Sequence, residues 1–205
     1  MNFVINGKKL KAKDSWEALT FSEYMRILKT KSDMVEIFSV VTGIDYELLK
    51  NADVKGFDKL LYCTRFVKTV PDIPLPVKVG KYKLPLTNGK FDVQFESLAQ
   101  FEDMRKVMAA IKPDSIEELT ASYPEFVAIY LQKLRDGKYD GNKATEMVEE
   151  VKQMPGLEVI SVGTFFLTKL TTLLIGTPPN CQNTKKSRTK STGKSSRKSS
   201  GRTPR

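Results

Sequence analysis

Two stretches of the sequence come close to ligand-binding motifs. "STGKSS", residues 191–196, resembles the end of a phosphate-binding loop, where backbone amides cradle phosphates and a lysine reaches the terminal ones. That pattern needs a glycine five positions before Gly193, and Arg188 stands there, with no strand pattern before it and no helical pattern after it. "DGKYDGNKATEM", residues 136–147, places Asp136, Asp140 and Gly141 at calcium-loop offsets, but Lys138 occupies the third position and Met147 the twelfth, where a bidentate Glu is needed. Both motifs are therefore rejected, and the second stretch is read as a loop leading into the helix "NKATEMVEEVKQM".

Histidine is absent, which removes the commonest general base near neutral pH and the commonest metal ligand. Ser-His-Asp, Cys-His and His-based zinc sites are excluded. The carboxylate pairs Glu117 with Glu118 and Glu149 with Glu150 are sequence neighbours, about 100° apart around a helix, and read as solvated faces. The sequence predicts no catalytic residue, no metal site and no cofactor, hence a protein that is not an enzyme.

Charge is unevenly distributed. Nine of the 34 basic residues lie beyond Gly176, namely Lys185, Lys186, Arg188, Lys190, Lys194, Arg197, Lys198, Arg202 and Arg205; the remaining 25 face all 24 acids, a net +1 for residues 1–175. Residues 176–205 also hold eleven Ser or Thr, three Gly and three Pro, so they cannot bury enough surface to offset ordering entropy and are expected to be disordered. Their nine cations are the candidate polyanion-binding residues, suited to salt-sensitive, sequence-independent contact with DNA or to an acidic protein surface. Aromatic residues for stacking bases are lacking there.

The 205 residues and 40% hydrophobic content suffice for a proper core. Two cysteines, Cys63 in a helical pattern and Cys181 in the tail, predict no disulfide framework and a reducing compartment. "MNFVINGKKLKAK" lacks the long apolar segment of a signal peptide, so export by that route is not expected.

The elements follow from local signals. Asn6-Gly7 between Phe3, Ile5 and Leu10, Ala12 predicts a β-hairpin with a type I′ turn. Thr20 with Glu23 forms a capping-box pattern ahead of a helix over 21–29 whose apolar face is Phe21, Tyr24, Ile27 and Leu28. Ser32 or Asp33 caps "MVEIFSVVTG", which ends at Gly43; "DYELLKNA" and "FDKLLYCTRFVKT" supply further helices. "VPDIPLPVKVG", with Pro71, Pro74 and Pro76, breaks the helical pattern and is the junction between halves.

Beyond the junction the chain repeats its first half. "VKVGKYKLPLTNGKFDV" has strand alternation with turn signals at Gly80 and Asn88-Gly89, and "FESLAQFEDM" aligns with "WEALTFSEYM" at an offset of 79, pairing Glu17 with Glu96, Leu19 with Leu98, Glu23 with Glu102 and Met25 with Met104. "MVEIFSVV" is echoed by "FVAIYLQK", and "FDKLLYCTRFVK" by "VGTFFLTKLTTL". The expected fold is α+β and mostly helical: a hairpin-plus-helical-cluster unit over 1–70, a second one packed on it over 71–175, and a disordered basic tail over 176–205. Val159 to Ile175 is shorter than the roughly 20 residues of a membrane span and contains Lys169. Ser161, Thr164, Thr168 and Thr171 form a polar stripe opposite Ile160, Val162, Phe166, Leu170 and Leu173, which predicts a packed core helix.

"WEALTFSEYMRIL" followed by "MVEIFSVVTGIDYELLKNADVKGFDKLLYCTRFV", a hairpin, further helices and "FFLTKL" resembles tailed-bacteriophage proteins of the tail-assembly-chaperone kind over about residues 1–175. The resemblance rests chiefly on "LTFSEYMRIL" and "SVVTGID". It implies a non-enzymatic morphogenesis protein that binds tail or tape-measure components in the host cytoplasm during assembly, with no membrane partner and with homo-oligomers open to it. Some such proteins carry a C-terminal extension made by frameshifting, which the basic tail would fit. The alternatives are a virion subunit, such as a ring or head-tail connector whose basic arm reaches DNA or a neighbouring subunit, and thirdly a sequence-independent DNA-binding protein.

Overall fold

The structure, a computed structural model, describes residues 2–5, 8–30, 33–51, 57–88, 90–91, 97–111 and 115–175. The chain opens on an antiparallel hairpin of β1 (Asn2–Ile5) and β2 (Lys8–Lys11), in which Ile5 faces Lys8 and Phe3 faces Leu10. That register leaves two residues for the turn, as an Asn-Gly connection requires. The turn residues themselves lie outside the described residues, and so does the basic tail with all nine of its cations.

After a 3₁₀ turn at Trp16–Ala18 comes α1 (Phe21–Lys29), closed by the capping box that its sequence predicts: the Thr20 hydroxyl accepts from Glu23 N–H at 3.3 Å and the Glu23 carboxylate accepts from Thr20 N–H at 2.8 Å. Phe21, Tyr24, Met25 and Ile27 are buried, whereas Leu28 is 37% exposed. Leu28 thus ends the apolar face at the lining of a surface groove that it shares with Met34 and Ile37.

α2 (Met34–Thr42) is capped by Asp33, which accepts from the N–H groups of Val35 and Glu36, and stops at Gly43, whose φ of +70° is left-handed. α3 (Tyr46–Lys50) and α4 (Phe57–Cys63) complete the first cluster. The helix expected across "FDKLLYCTRFVKT" ends at Cys63 and gives way to a 3₁₀ turn at Arg65–Lys68. Thr64 marks the change: its hydroxyl bonds back to the carbonyls of Leu60 and Leu61, both at 3.2 Å, a local alternative to continuing the helix.

Residues 70–77 form a strap without regular structure, as the prolines predict. Next come two short hairpins, β3 (Lys78–Val79) with β4 (Tyr82–Lys83) and β5 (Leu86–Thr87) with β6 (Lys90–Phe91), turning at the two predicted places: Gly80 has φ +55° and Asn88 φ 52°. The remaining elements are α5 (Leu98–Ala110), α6 (Ile116–Ala121), α7 (Tyr123–Asp136), α8 (Gly141–Lys152) and α9 (Gly156–Ile175). Met104 of α5 is buried as Met25 of α1 is, 79 positions earlier, while the counterpart of Phe21 is the buried amide of Gln100.

α7 is the centre of the molecule, packed against α5, α8 and α9, with Phe126, Val127, Ala128 and Leu131 wholly buried. One apolar core runs from Trp16 to Leu170 and includes residues of both halves. The halves are also sewn together along the backbone, where Phe21 N–H donates to the Met154 carbonyl and Gly156 N–H to the Leu19 carbonyl, each at 2.9 Å. A smaller cluster of Ala12, Phe38, Leu60 and Cys63 sits under the first unit.

On α9, Ile160, Val162, Phe166 and Leu170 are buried and Thr164 and Thr168 exposed, as its pattern predicts, Thr171 is half-buried, and the Leu173 side chain lies outside what the structure describes. Ser161 departs from the polar stripe. It is buried, and its hydroxyl donates to the Pro74 carbonyl at 2.5 Å, so the strap covers this first turn of the expected wet face. Among the described residues no helix is long and apolar enough to cross a membrane.

Candidate interaction surface

Glu117 and Glu118 are exposed at the start of α6, and exposed Glu149 pairs with Lys152 at 2.6 Å. Glu150 does more than face solvent: it lies 3.2 Å from Lys81 and 3.9 Å from Arg135 and accepts from the Tyr82 hydroxyl at 3.3 Å. With Glu158, which accepts from Gly80 N–H at 2.8 Å and pairs with Lys78 at 3.0 Å, it fastens the β3–β4 hairpin onto α8 and α9.

In the loop between α7 and α8, Asp140 caps α8 through the N–H groups of Asn142 and Lys143. Asp136 takes a bidentate contact from Arg135 at 2.8 and 3.1 Å and one from the Gln132 amide at 3.1 Å. The Arg135 guanidinium foremost, and then Gln132, hold the Asp136 carboxyl down to about 2. Its folded value lies below its ordinary one of 3.8, so its stabilising contribution is present above that value and is lost as pH falls toward 2. Asp136→Asn is expected to flatten the dependence of the urea midpoint on pH between about 5 and 2.

Tyr139 and Asp103 form the nearest approach to an acid–base pair, hydroxyl to carboxylate at 2.7 Å. Burial, and after it the bond to Asp103, push the phenol far up, while the bond from Lys106, followed by that from Tyr139, lowers the Asp103 carboxyl. The two groups are thereby driven apart into fixed charge states, which suits a fastener between α5 and the loop into α8. The Cys63 thiol is raised by burial and stays a thiol.

Among the described residues, Ile116, Leu98 and Leu48 are exposed singly, whereas one segment exposes several apolar side chains in succession. Along the strap Val70 is 95% and Leu75 82% exposed, and Ile73 and Val77 are also exposed, as is Leu86 on the adjoining hairpin. The strap is held by carbonyls within it and just before it: Thr69, the residue that precedes it, accepts from the Trp16 indole at 3.2 Å, Pro74 from Ser161, and Val77 from Leu84 N–H at 3.1 Å. Its backbone is thus anchored while its apolar side chains point outward. A groove of about 440 Å³ lies at the strap's start, floored by Trp16, Tyr24 and Ile37 and rimmed by Leu28 and Val70. A second, of about 470 Å³, lies at its end between Leu75, Val77, Leu86 and Phe165, with Lys90 and Lys169 beside them.

Comparison with protein-family models, with curated proteins and with solved structures finds no match to this chain.

The strap between two grooves is accordingly the candidate site, on its own geometry. Soluble monomers rarely leave contiguous apolar surface uncovered, and such patches mark interaction sites. In the sequence, "VPDIPLPVKVG", residues 70–80, reads as a junction and does not reveal that its apolar side chains face outward. The signal for it was Val70, Ile73, Leu75 and Val77 interleaved with prolines, which deny both helix and sheet and so leave these side chains no regular element to be buried by.

Proposed function

We propose that this chain is a non-enzymatic bacteriophage morphogenesis protein of the tail-assembly-chaperone kind, which holds an apolar tail or tape-measure segment on its strap until assembly. The outward-facing apolar side chains of residues 70–77, on an anchored backbone, support this reading. Burying Val70, Ile73, Leu75, Val77 and Leu86 would contribute at most about 7–15 kcal/mol at roughly 1.5–3 kcal/mol each. Association costs about 4–15 kcal/mol, so net affinity is modest and release is built in.

The test is co-expression of the full chain with the long helical tail protein of the same phage. Wild type is expected to keep that protein soluble and co-purify with it, and the double variant Leu75→Asp, Leu86→Asp to lose it while keeping its own thermal transition. Equal capture by the double variant overturns the strap as the site. The concentration of nine cations in residues 185–205 favours a second reading, a ring or connector subunit whose arm contacts DNA or a neighbouring subunit. Many copies in purified virions, counted by mass spectrometry, would select that reading over the chaperone.

A further inference from the structure

Residues 70–77 lie across the molecule while burying little apolar surface of their own. Val70, Ile73, Leu75 and Val77 are exposed and outside both apolar clusters, and only Pro71 and Pro76 are half-buried. The ends are fixed. Thr69 bonds back to the Phe66 carbonyl through its N–H at 2.9 Å and its hydroxyl at 2.6 Å, and the Val77 carbonyl takes Leu84 N–H beside the first rung of the β3–β4 ladder. Between those ends, among the described residues, two hydrogen bonds hold the strap down: the Trp16 indole to the Thr69 carbonyl and the Ser161 hydroxyl to the Pro74 carbonyl. A segment with so few buried apolar contacts opens at a lower free energy than the core around it. Its prolines make it stiff, because they fix φ at 71, 74 and 76 and restrict Val70, Ile73 and Leu75 before them.

Ser161 points the same way. A helix position under permanent cover suits an apolar side chain, whereas Ser161 continues a polar stripe that runs on through exposed Thr164 and Thr168. Serine serves both states of this position, donating to Pro74 when covered and to water when bare. The strap is also the wall between the two grooves: Val70 and Pro71 line the first, and Leu75, Pro76 and Val77 the second. We infer that residues 70–76 form a lid, hinged at Thr69 and Val77, that lifts from α9 as one piece while the rest of the chain stays folded, and that lifting it joins the two grooves into a single trough across Ser161. The closed form prevails and presents the outward apolar row; the lifted form is the minor state and offers the face of α9 beneath. This motion holds whatever the strap binds.

The single tryptophan makes the motion measurable. Hydrogen exchange of the Trp16 indole N–H, followed by NMR in the full chain, reads release of the Thr69 carbonyl, and the amide of Leu131, wholly buried on α7, reads global unfolding. Lifting the strap exposes little surface, so indole exchange is expected to be nearly independent of low urea concentrations, while Leu131 exchange rises along the global unfolding slope. Ser161→Ala removes the bond to Pro74 without touching Trp16 or Thr69. It is expected to speed indole exchange roughly three- to tenfold with the weak urea dependence unchanged. Equal urea slopes for the indole and Leu131 in the wild-type chain would mean that the strap leaves only when everything unfolds, and would overturn the proposal without any variant. An indole rate untouched by Ser161→Ala would show the strap's start fraying by itself, which overturns a lid that moves as one piece.

Discussion

Gly163→Ala is expected to destabilise the chain by about 1–3 kcal/mol, against the direction that helix propensity dictates. Position 163 is inside α9, where replacing Gly by Ala ordinarily gains about 1 kcal/mol. A Cβ there would lie 2.4 Å from Cγ, 2.6 Å from Cβ and 2.8 Å from Cδ2 of Tyr123, the first residue of α7. These are distances that only movement of a helix can relieve, since the Cβ of Tyr123 is fixed by its own backbone. Tyr123 is buried, and Thr164 donates to its hydroxyl at 3.4 Å, so a local adjustment also disturbs that contact. Urea denaturation should give a lower midpoint at an unchanged slope, and a further drop for Gly163→Val. Tyr123→Ala should fail to rescue, because the contact at 2.6 Å involves a carbon that alanine retains. A Gly163→Ala protein as stable as wild type would refute the close approach of α7 and α9.

What the sequence makes legible divides along the range of the interaction. The Thr20–Glu23 capping box, the Asp33 cap, the stop at Gly43 and the turns at Gly80 and Asn88 are all decided within a few residues, and each stands where its pattern places it. Residues whose environment is made by a distant segment escaped. Ser161 belongs to a polar stripe by spacing and is buried because residue 74 crosses over it, 87 positions away in the chain. Glu150 reads as one of two solvated neighbours and serves as the anchor for a hairpin 68 positions earlier. Leu28 has the spacing of a core residue and lies on a rim, since periodicity gives the side of a helix but not where its neighbour ends.

The strap obeys the same logic with a functional consequence. Proline-interrupted sequence is legible as a break, and apolar residues in a break are ambiguous until the tertiary structure shows which way they face. Here three carbonyls, at Thr69, Pro74 and Val77, are engaged by Trp16 of the first unit, Ser161 of α9 and Leu84, the residue after the β3–β4 hairpin. Anchoring by carbonyls fixes the backbone without covering its side chains. A segment bound that way is preorganised, so a partner need not supply the entropy of ordering it.

The second large effect is expected at Phe166, where α9, α7 and the β5–β6 hairpin meet. Phe166 is wholly buried on α9, its ring 5.0 Å from Tyr130 of α7 and 5.9 Å, edge-on, from Phe91 of the β5–β6 hairpin. Phe166→Ala removes the ring through which helix, helix and hairpin meet, and should cost about 3–5 kcal/mol. Against a total of roughly 5–15 kcal/mol for a domain, that brings the protein to the edge of unfolding. Phe166→Leu keeps most of the apolar volume and should cost about 1–2 kcal/mol, leaving a folded protein in which Phe91 has lost one of two edge-on neighbours and keeps Tyr130. Guanidinium denaturation is expected to give the stability order wild type, Leu, Ala. A loss below about 1 kcal/mol for Phe166→Ala would mean that the aromatic cluster does not hold the hairpin to the helices.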